Sequence, residues 1–435
     1  MSRTVLAACL LSLTAAVWAR PSATVKMAVS RVENAGSIGQ KVLLPYAFST
    51  EGMGFAAGAG GVRKGFYQDQ MAVGATAYAG PETRGGGLGL WDLRFPGTDR
   101  LFISAYGMMG YYPRQRAYAA PRDWYWPAQL PRPGSNDSPP ELALESSGAS
   151  NWWEVQLAYA LPIGAAEDRG MIPYRLAQGI LVSEPSGGDH WNPLDSGATV
   201  LLLRQYNRYQ TFELEQQTLS GAVHAWELGI LYDNTDFPLN PSRGSSQYLA
   251  VHYDAAWLDS QQQWLFLELE ASKYFSLGAS PRALQRVIAL NAWTGYSPSW
   301  KLQYNDEGGS RVEHAPPYME GAALGGFYRL RGYDQYRFHD KAALYVTAEY
   351  RYTLRWNPLR DVSWLRFLAA DWLQAVAFAE GGRVGAGYTA AELLTDWRSD
   401  WGLALRGMFG GLVVRLDWAH STEGSNLWAM VNHPF

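Results

Sequence analysis

Apolar and polar residues alternate with a period of two in segment after segment of this 435-residue chain. In Ala342–Leu354, the residues Leu344, Val346, Ala348, Tyr350, Tyr352 and Leu354 share one parity. Tyr345, Thr347, Glu349, Arg351 and Thr353 share the other. Residues 222–233 set Trp226, Leu228, Ile230 and Tyr232 against Glu227 and Asp233, and residues 264–274 set Leu265, Leu267 and Leu269 against Glu268, Glu270 and Ser272. Residues 401–407 oppose Trp401, Leu403 and Leu405 to Ala404 and Arg406. Residues 412–418 oppose Val414, Leu416 and Trp418 to Arg415 and Asp417. Successive side chains of a strand point to opposite faces, so each segment reads as a strand with one oily and one polar face. About ten residues is also the length a tilted strand needs to cross a bilayer. Aromatics near strand ends, such as Trp226, Tyr232, Tyr352 and Trp418, suit the girdles of a membrane barrel. A soluble sandwich or propeller is the competing reading, and no fixed repeat period supports a propeller.

Composition favours the membrane. Only 17% of the residues are charged, beside 45 glycines, 19 tryptophans and 26 tyrosines, whereas soluble domains carry about 25% charged residues. A net charge of −4 supplies no basic surface, so nucleic acid is not an expected partner. Residues 1–19 read as a secretory signal peptide: Arg3 gives the positive start, Val5 to Val17 the apolar core, and Val17-Trp18-Ala19 the cleavage site. Leu6-Ala7-Ala8-Cys9 also fits a lipobox, but the apolar core would then fall mostly after the cysteine. Cys9 is the only cysteine, so the mature chain is expected to lack disulfides, cysteine metal sites and thiol nucleophiles. No apolar run of 18 residues follows the signal, which leaves no transmembrane helix.

The expected fold is therefore all-β: a transmembrane antiparallel barrel of about sixteen strands with a long loop folded over or into it, in a Gram-negative outer membrane. Candidate strands fall near residues 50–62, 70–80, 86–95, 100–111, 152–162, 173–184, 198–207 and 223–234. The rest lie near 246–256, 262–274, 285–297, 342–354, 371–382, 398–408, 411–420 and 426–435. Two long polar intervals remain, 113–150 and 297–341. Counting inward from a periplasmic C-terminus puts 297–341 outside the cell and 113–150 on the periplasmic side. The second placement is odd for so long a loop. Either a strand is missing from the count or the protein has an unusual periplasmic insert.

Within 297–341, residues 325–338 pack five aromatics and three arginines around Gly332. Arg331 at the tip needs an acidic partner if it is buried. Leu330-Arg331-Gly332-Tyr333 resembles the V-R-G-F/Y loop motif of the outer-membrane assembly-factor superfamily, the bacterial surface antigen or BamA/TamA type, with Leu in place of Val. Asp233-Asn234-Thr235-Asp236 through Asn240-Pro241-Ser242-Arg243-Gly244 is similar to that family's periplasmic turn before its ninth strand. Leu43-Leu44-Pro45-Tyr46 resembles its first barrel strand, and Val414-Arg415-Leu416-Asp417-Trp418-Ala419 with Pro434-Phe435 its closing strands. The likeness implies a barrel over 43–435 after a short periplasmic segment, 20–42, which leaves no room for the POTRA modules of family assembly factors.

It also implies that the arginine loop docks inside the barrel, Arg331 meeting Glu349 and Glu380, where the family usually has Asp at the second position. A guanidinium in a narrow lumen wants bidentate carboxylates, and Gly332 lets the backbone pass where a side chain would clash. The bland alternative is a solvated Arg331. Phe435 fits a C-terminal aromatic signal for membrane insertion. The implied function is to assist insertion or translocation of outer-membrane proteins or lipid, with outer-membrane lipids and other outer-membrane proteins as partners. A gated or plugged channel is the alternative.

Little points to catalysis. His190, His224, His252, His314, His339, His420 and His433 form no metal pair at helical or short strand spacing. His420-Ser421 is the nearest approach to a nucleophile pair, as in a barrel lipid hydrolase, yet neighbours on a strand face opposite ways. No G-x-S-x-G elbow occurs. Asp233 and Asp236, near Asn234 and Asn240, suggest calcium less than a polar turn held by its own side chains. No enzyme activity, metal or cofactor is expected.

Overall fold

The computed structural model describes residues 22–32, 41–50, 54–121, 124–127, 129–363, 368, 370–409 and 411–435. The expected signal peptide, 1–19, lies outside the described residues. The first strands are β1 (Met27–Arg31), β2 (Lys41–Thr50), β3 (Gly54–Lys64), β4 (Ala72–Ala79), β5 (Arg84–Arg94), β6 (Leu101–Ala117) and β7 (Leu144–Ala160). Then come β8 (Ile172–Ala177), β9 (Ile180–Leu181), β10 (Ala198–Glu213), β11 (Thr218–Asp233), β12 (Gly244–Ala255), β13 (Gln263–Ser276) and β14 (Ala283–Tyr296). Short pieces follow: β15 (Lys301–Tyr304), β16 (Ser310–Glu313), β17 (Ala323–Leu324) and β18 (Phe338–His339). The last are β19 (Ala342–Leu354), β20 (Ala370–Gly385), β21 (Arg398–Phe409), β22 (Leu412–Ser421) and β23 (Gly424–Val431).

Sixteen of these form one antiparallel sheet in the order β2-β3-β4-β5-β6-β7-β10-β11-β12-β13-β14-β19-β20-β21-β22-β23. Among the described residues no ladder joins β2 to β23, so the sheet has a seam. Its faces are inverted relative to a soluble protein. Glu227 is 0% exposed while its neighbour Leu228 is 62% exposed. The outer row runs across strands in register, Leu228 opposite Val251 and Val251 opposite Leu267, with Ile230, Leu249 and Leu269 one step along. Inside, Glu268, Glu270 and Ser272 are buried. An oily outside around a charged inside is what lipid selects.

The count of sixteen agrees, but two of its parts do not. The segment expected as a strand near 173–184 is not in the wall. It reverses at Gln178 and Gly179, both at positive φ (51° and 73°), and makes the hairpin β8–β9. Its place is taken by β2, which begins at Lys41 and carries Pro45, tolerable in a strand at a sheet edge. Removing one strand between them moves the interval 113–150 to the same end as 297–341. The two long connections touch there: His339 N–H donates to the Gly134 carbonyl at 2.7 Å, and Arg132 pairs with Asp340 at 2.8 Å. Of the two alternatives, the strand missing from the count is the one found, and 113–150 is part of a cap at this loop end.

The other mouth, the terminal end, is filled by chain too. β1 pairs in parallel with β8, and Tyr174 and Leu176 of β8 sit in one buried cluster with Ala158, Val200, Leu231 and Tyr248 of one wall. Trp372, Met408 and Val413 of the facing wall join the same cluster. β23 stops at Val431 rather than running to the terminus: Asn432 takes φ 67°, and the last residues turn inward.

Candidate functional site

The loop 325–338 crosses the lumen, and Arg331 is fully buried against three wall strands. Its Nε donates to Glu380 Oε1 at 3.0 Å on β20, its Nη1 to Asp417 Oδ2 at 2.8 Å on β22, and its Nη2 to Glu349 Oε1 at 3.0 Å on β19. Its backbone N–H reaches Glu380 Oε2 at 2.6 Å. The guanidinium also lies 3.5 Å over the Phe378 ring. Only a planar fork with donors on three nitrogens reaches three carboxylates in three directions; an ammonium is a single point. Alternation explains the supply of acids: Glu349, Glu380 and Asp417 all fall on the lumen parity of their strands.

The flanking residues are held as closely. Gly332 N–H donates to Asp400 Oδ2 at 2.8 Å, and its carbonyl accepts from Ser421 Oγ at 2.7 Å. A Cβ here would stand 2.6 Å from Asp400 Cβ and 2.9 Å from Ser421 Cβ, so close approach is what demands glycine. Leu330 is buried with φ 52°, a conformation that costs a non-glycine residue. Tyr333 is buried edge-on to Phe338, its hydroxyl donating to the Ser399 carbonyl at 3.2 Å. Trp428 Nε1 caps the Arg331 carbonyl at 2.7 Å.

Sequence reasoning named Glu349 and Glu380 but not the rest of the constellation. Glu349 is clamped from its other side by Arg406, whose Nη1 and Nη2 take both oxygens at 2.8 and 2.7 Å, and by Arg351 Nε at 2.8 Å. Arg415 pairs with Asp417 and donates to the Phe327 carbonyl at 2.5 Å. Four guanidiniums thus face the carboxyl groups of Glu349, Glu380, Asp400 and Asp417. The signal was the shared inward parity of Arg406, Arg415 and Asp417; what it lacked was height along the barrel.

Phe435 lies inside, stacked 6.4 Å from the Tyr274 ring with the Arg351 guanidinium 4.9 Å over it. His433 Nδ1 sits 2.9 Å from Arg406 Nη1. The turn 233–244 is organised by its own acids. Asp236 Oδ1 accepts from the N–H groups of Phe237, Ser242 and Arg243, and Asp233 Oδ1 from the Thr235 amide and hydroxyl. His420 and Ser421 face opposite ways, His420 outward beside Trp401 and Trp418 and Ser421 inward onto Gly332. Glu227, His252 and Glu268 converge in the lumen, but their carboxylates are engaged by Arg204, Tyr248, His252 and Trp293, and a cation there would meet Arg204.

No curated protein matches the chain. Among solved structures, it is similar to BamA from Haemophilus ducreyi lacking POTRA domains 1–3, at 12% identity and a TM-score of 0.45, over 93% of this chain and 74% of that one. CdiB from Escherichia coli matches at 12% identity and a TM-score of 0.52, over 90% of this chain and 62% of that one. The chain thus spans less than two thirds of CdiB, and at such identity the CdiB likeness speaks for the barrel fold alone. The family model for the Omp85 superfamily domain matches residues 200–425, more than half of the chain and the whole of the arginine loop with its acidic wall. This chain belongs to the Omp85 superfamily, as an outer-membrane β-barrel.

Proposed function

We propose that the barrel assists the insertion or translocation of outer-membrane polypeptide or lipid, and that it acts at the seam between β2 and β23. The carrying observation is how poorly the wall is built there. β4 and β23 have eight residues each and β2 has ten, against sixteen or seventeen in β6, β7, β10, β11 and β20. A tilted strand needs about 9–11 residues to span the hydrocarbon. β3 and β4 also offer lipid mostly Ala and Gly, where β11 to β13 offer Leu, Ile and Val. Short strands with small side chains thin and loosen the adjoining lipid, and unpaired strand edges invite an incoming strand.

Liposomes containing the protein supply the test. Faster folding of a second, unrelated barrel into them supports the reading. Solute leakage without faster folding rejects it in favour of a gated channel, which the filled lumen also fits. Outer-membrane lipids and other barrels are the partners this function requires, and it uses no catalytic residue, metal or cofactor.

A further inference from the structure

The segment of β1 is tied to the wall at two points, by Lys26 just before the strand and Arg31 at its end, on opposite sides of the seam. Lys26, buried, donates from Nζ to Asp92 Oδ1 at 2.7 Å on β5. Arg31 donates from Nη2 to Asp371 Oδ2 at 2.7 Å on β20. Both acids stand at breaks in the sheet. The β5–β6 register shifts between Leu90 and Leu93, and Asp92 takes φ 56°. The β20–β21 register shifts between Ala370 and Trp372, which leaves Asp371 as the extra residue. A bulge re-aims a side chain that regular alternation would fix, at the expense of local pairing. Here two bulges aim two acids at one short strand.

The anchors are also placed evenly. β2, β3 and β4 lie between Asp92 and the seam on one side, and β21, β22 and β23 between Asp371 and the seam on the other. β1 thus spans the flap of six strands that contains the opening. It is backed by β8, whose hairpin with β9 packs on the same anchor: the Gly179 carbonyl accepts from Trp372 Nε1 at 3.3 Å. The Gly179 Cα leaves no room for a Cβ, which would stand 2.7 Å from Asp371 Cβ.

We propose that β1 is a strap across the terminal mouth that holds the two flanks of the seam at a fixed separation, so that widening the seam requires release of Lys26 or Arg31 from the wall. This rests on the seam being the working part of the barrel, but it concerns distances within the protein and is measured without any client.

The experiment labels Tyr67→Cys and Leu412→Cys with nitroxides in the full chain in lipid. Both positions are exposed at the terminal end, Tyr67 in the β3–β4 turn and Leu412 at the start of β22, one on each flank of the seam. Leu277→Cys with Trp356→Cys, in turns outside the flap, is the control pair. Adding Lys26→Ala and Arg31→Ala is expected to lengthen and broaden the seam distance by about one strand spacing, roughly 5 Å, with the control pair unmoved. Exchanging the charges of one tie, Arg31→Asp with Asp371→Arg, is expected to restore the narrow distribution. An unchanged seam distance in the double alanine variant overturns the strap, as does an equal change in the control pair, which would mean general loosening. Failure of the insertion function would appear in the liposome assay and leave these distances as they are.

Discussion

Arg331→Ala is the most informative single change, because its three carboxylate partners are left in different states. Glu349 keeps both bonds from Arg406 and the one from Arg351. Asp417 keeps Arg415. Glu380 keeps the Tyr345 hydroxyl, a backbone N–H and the neighbouring Asp400 carboxyl, and among the described residues no second cation pairs with it. The loss therefore concentrates on one buried carboxylate stripped of its charge partner, a situation that costs about 3–5 kcal/mol. At about 1.4 kcal/mol per decade, the docked-to-undocked ratio of the loop falls roughly a hundred- to four-thousand-fold. Hydrogen exchange of residues 325–338 should lose protection by that factor, and single-channel conductance in planar bilayers should rise. Because most of the cost is the orphaned charge, adding Glu380→Gln to the Arg331→Ala variant should recover a large part of the protection. Wild-type protection and conductance in a folded Arg331→Ala barrel would refute the internal strut.

Gly332→Ala should also undock the loop, by about 1–3 kcal/mol of overpacking, since the new Cβ meets Asp400 and Ser421 on two wall strands; the same exchange measurement checks it. Burial, then the nearby charge of Arg132, pushes His339 from its ordinary 6.5 down to about 3. Its folded value lies below its unfolded one, so the stability that the neutral ring contributes is complete above pH 6.5 and is lost as pH falls toward 3. Proteolysis of the connections 118–143 and 297–341 should accelerate over that window, and His339→Gln should flatten the profile. Phe435→Ala removes a half-buried ring from Tyr274 and Arg351, worth about 1–2 kcal/mol, read as a lower unfolding midpoint in urea. If Phe435 also serves as an insertion signal, outer-membrane levels should fall further than that stability loss explains.

Parity was legible on most wall strands and position was not. Each face of β11, β13, β19, β21 and β22 follows from alternation, because lipid on one side and a charged lumen on the other leave one register per strand. The lumen-facing role of Glu349 follows from the same rule. Two strands escaped it for opposite reasons. β8–β9 alternates like a wall strand, and only the Gln178-Gly179 turn betrays the reversal. β2 carries a proline and leads into glycine-rich β3, which weakens its pattern. One false strand and one missed strand cancelled in the count and showed only in the side assigned to 113–150. Glu380 lay beside Gly381 and Gly382, so alternation said little of its facing. Asp417 reaches Arg331, and Asp400 the Gly332 amide, through barrel curvature and stagger, which no single strand's pattern records.

The energetics separate the part of this barrel that holds from the part that yields. Undocking the loop breaks a network of fully buried ion pairs, at several kcal/mol for Arg331 alone. Parting β2 from β23 breaks no ladder among the described residues. Resisting it are the packing of Met27 and Val29 and the two ties of β1, Lys26–Asp92 at 6% and 38% exposure and Arg31–Asp371 at 13% and 12%; the half-exposed Asp92 pair contributes on the order of 1 kcal/mol. A perturbation that loads the whole barrel, such as a thinner bilayer, should therefore move the seam before it moves the plug. In nanodiscs of decreasing acyl length, the Tyr67–Leu412 label distance should grow while protection of residues 325–338 stays constant. Loss of loop protection at a thickness where the seam distance is still unchanged would reverse that order and make the loop, and with it a channel, the moving part.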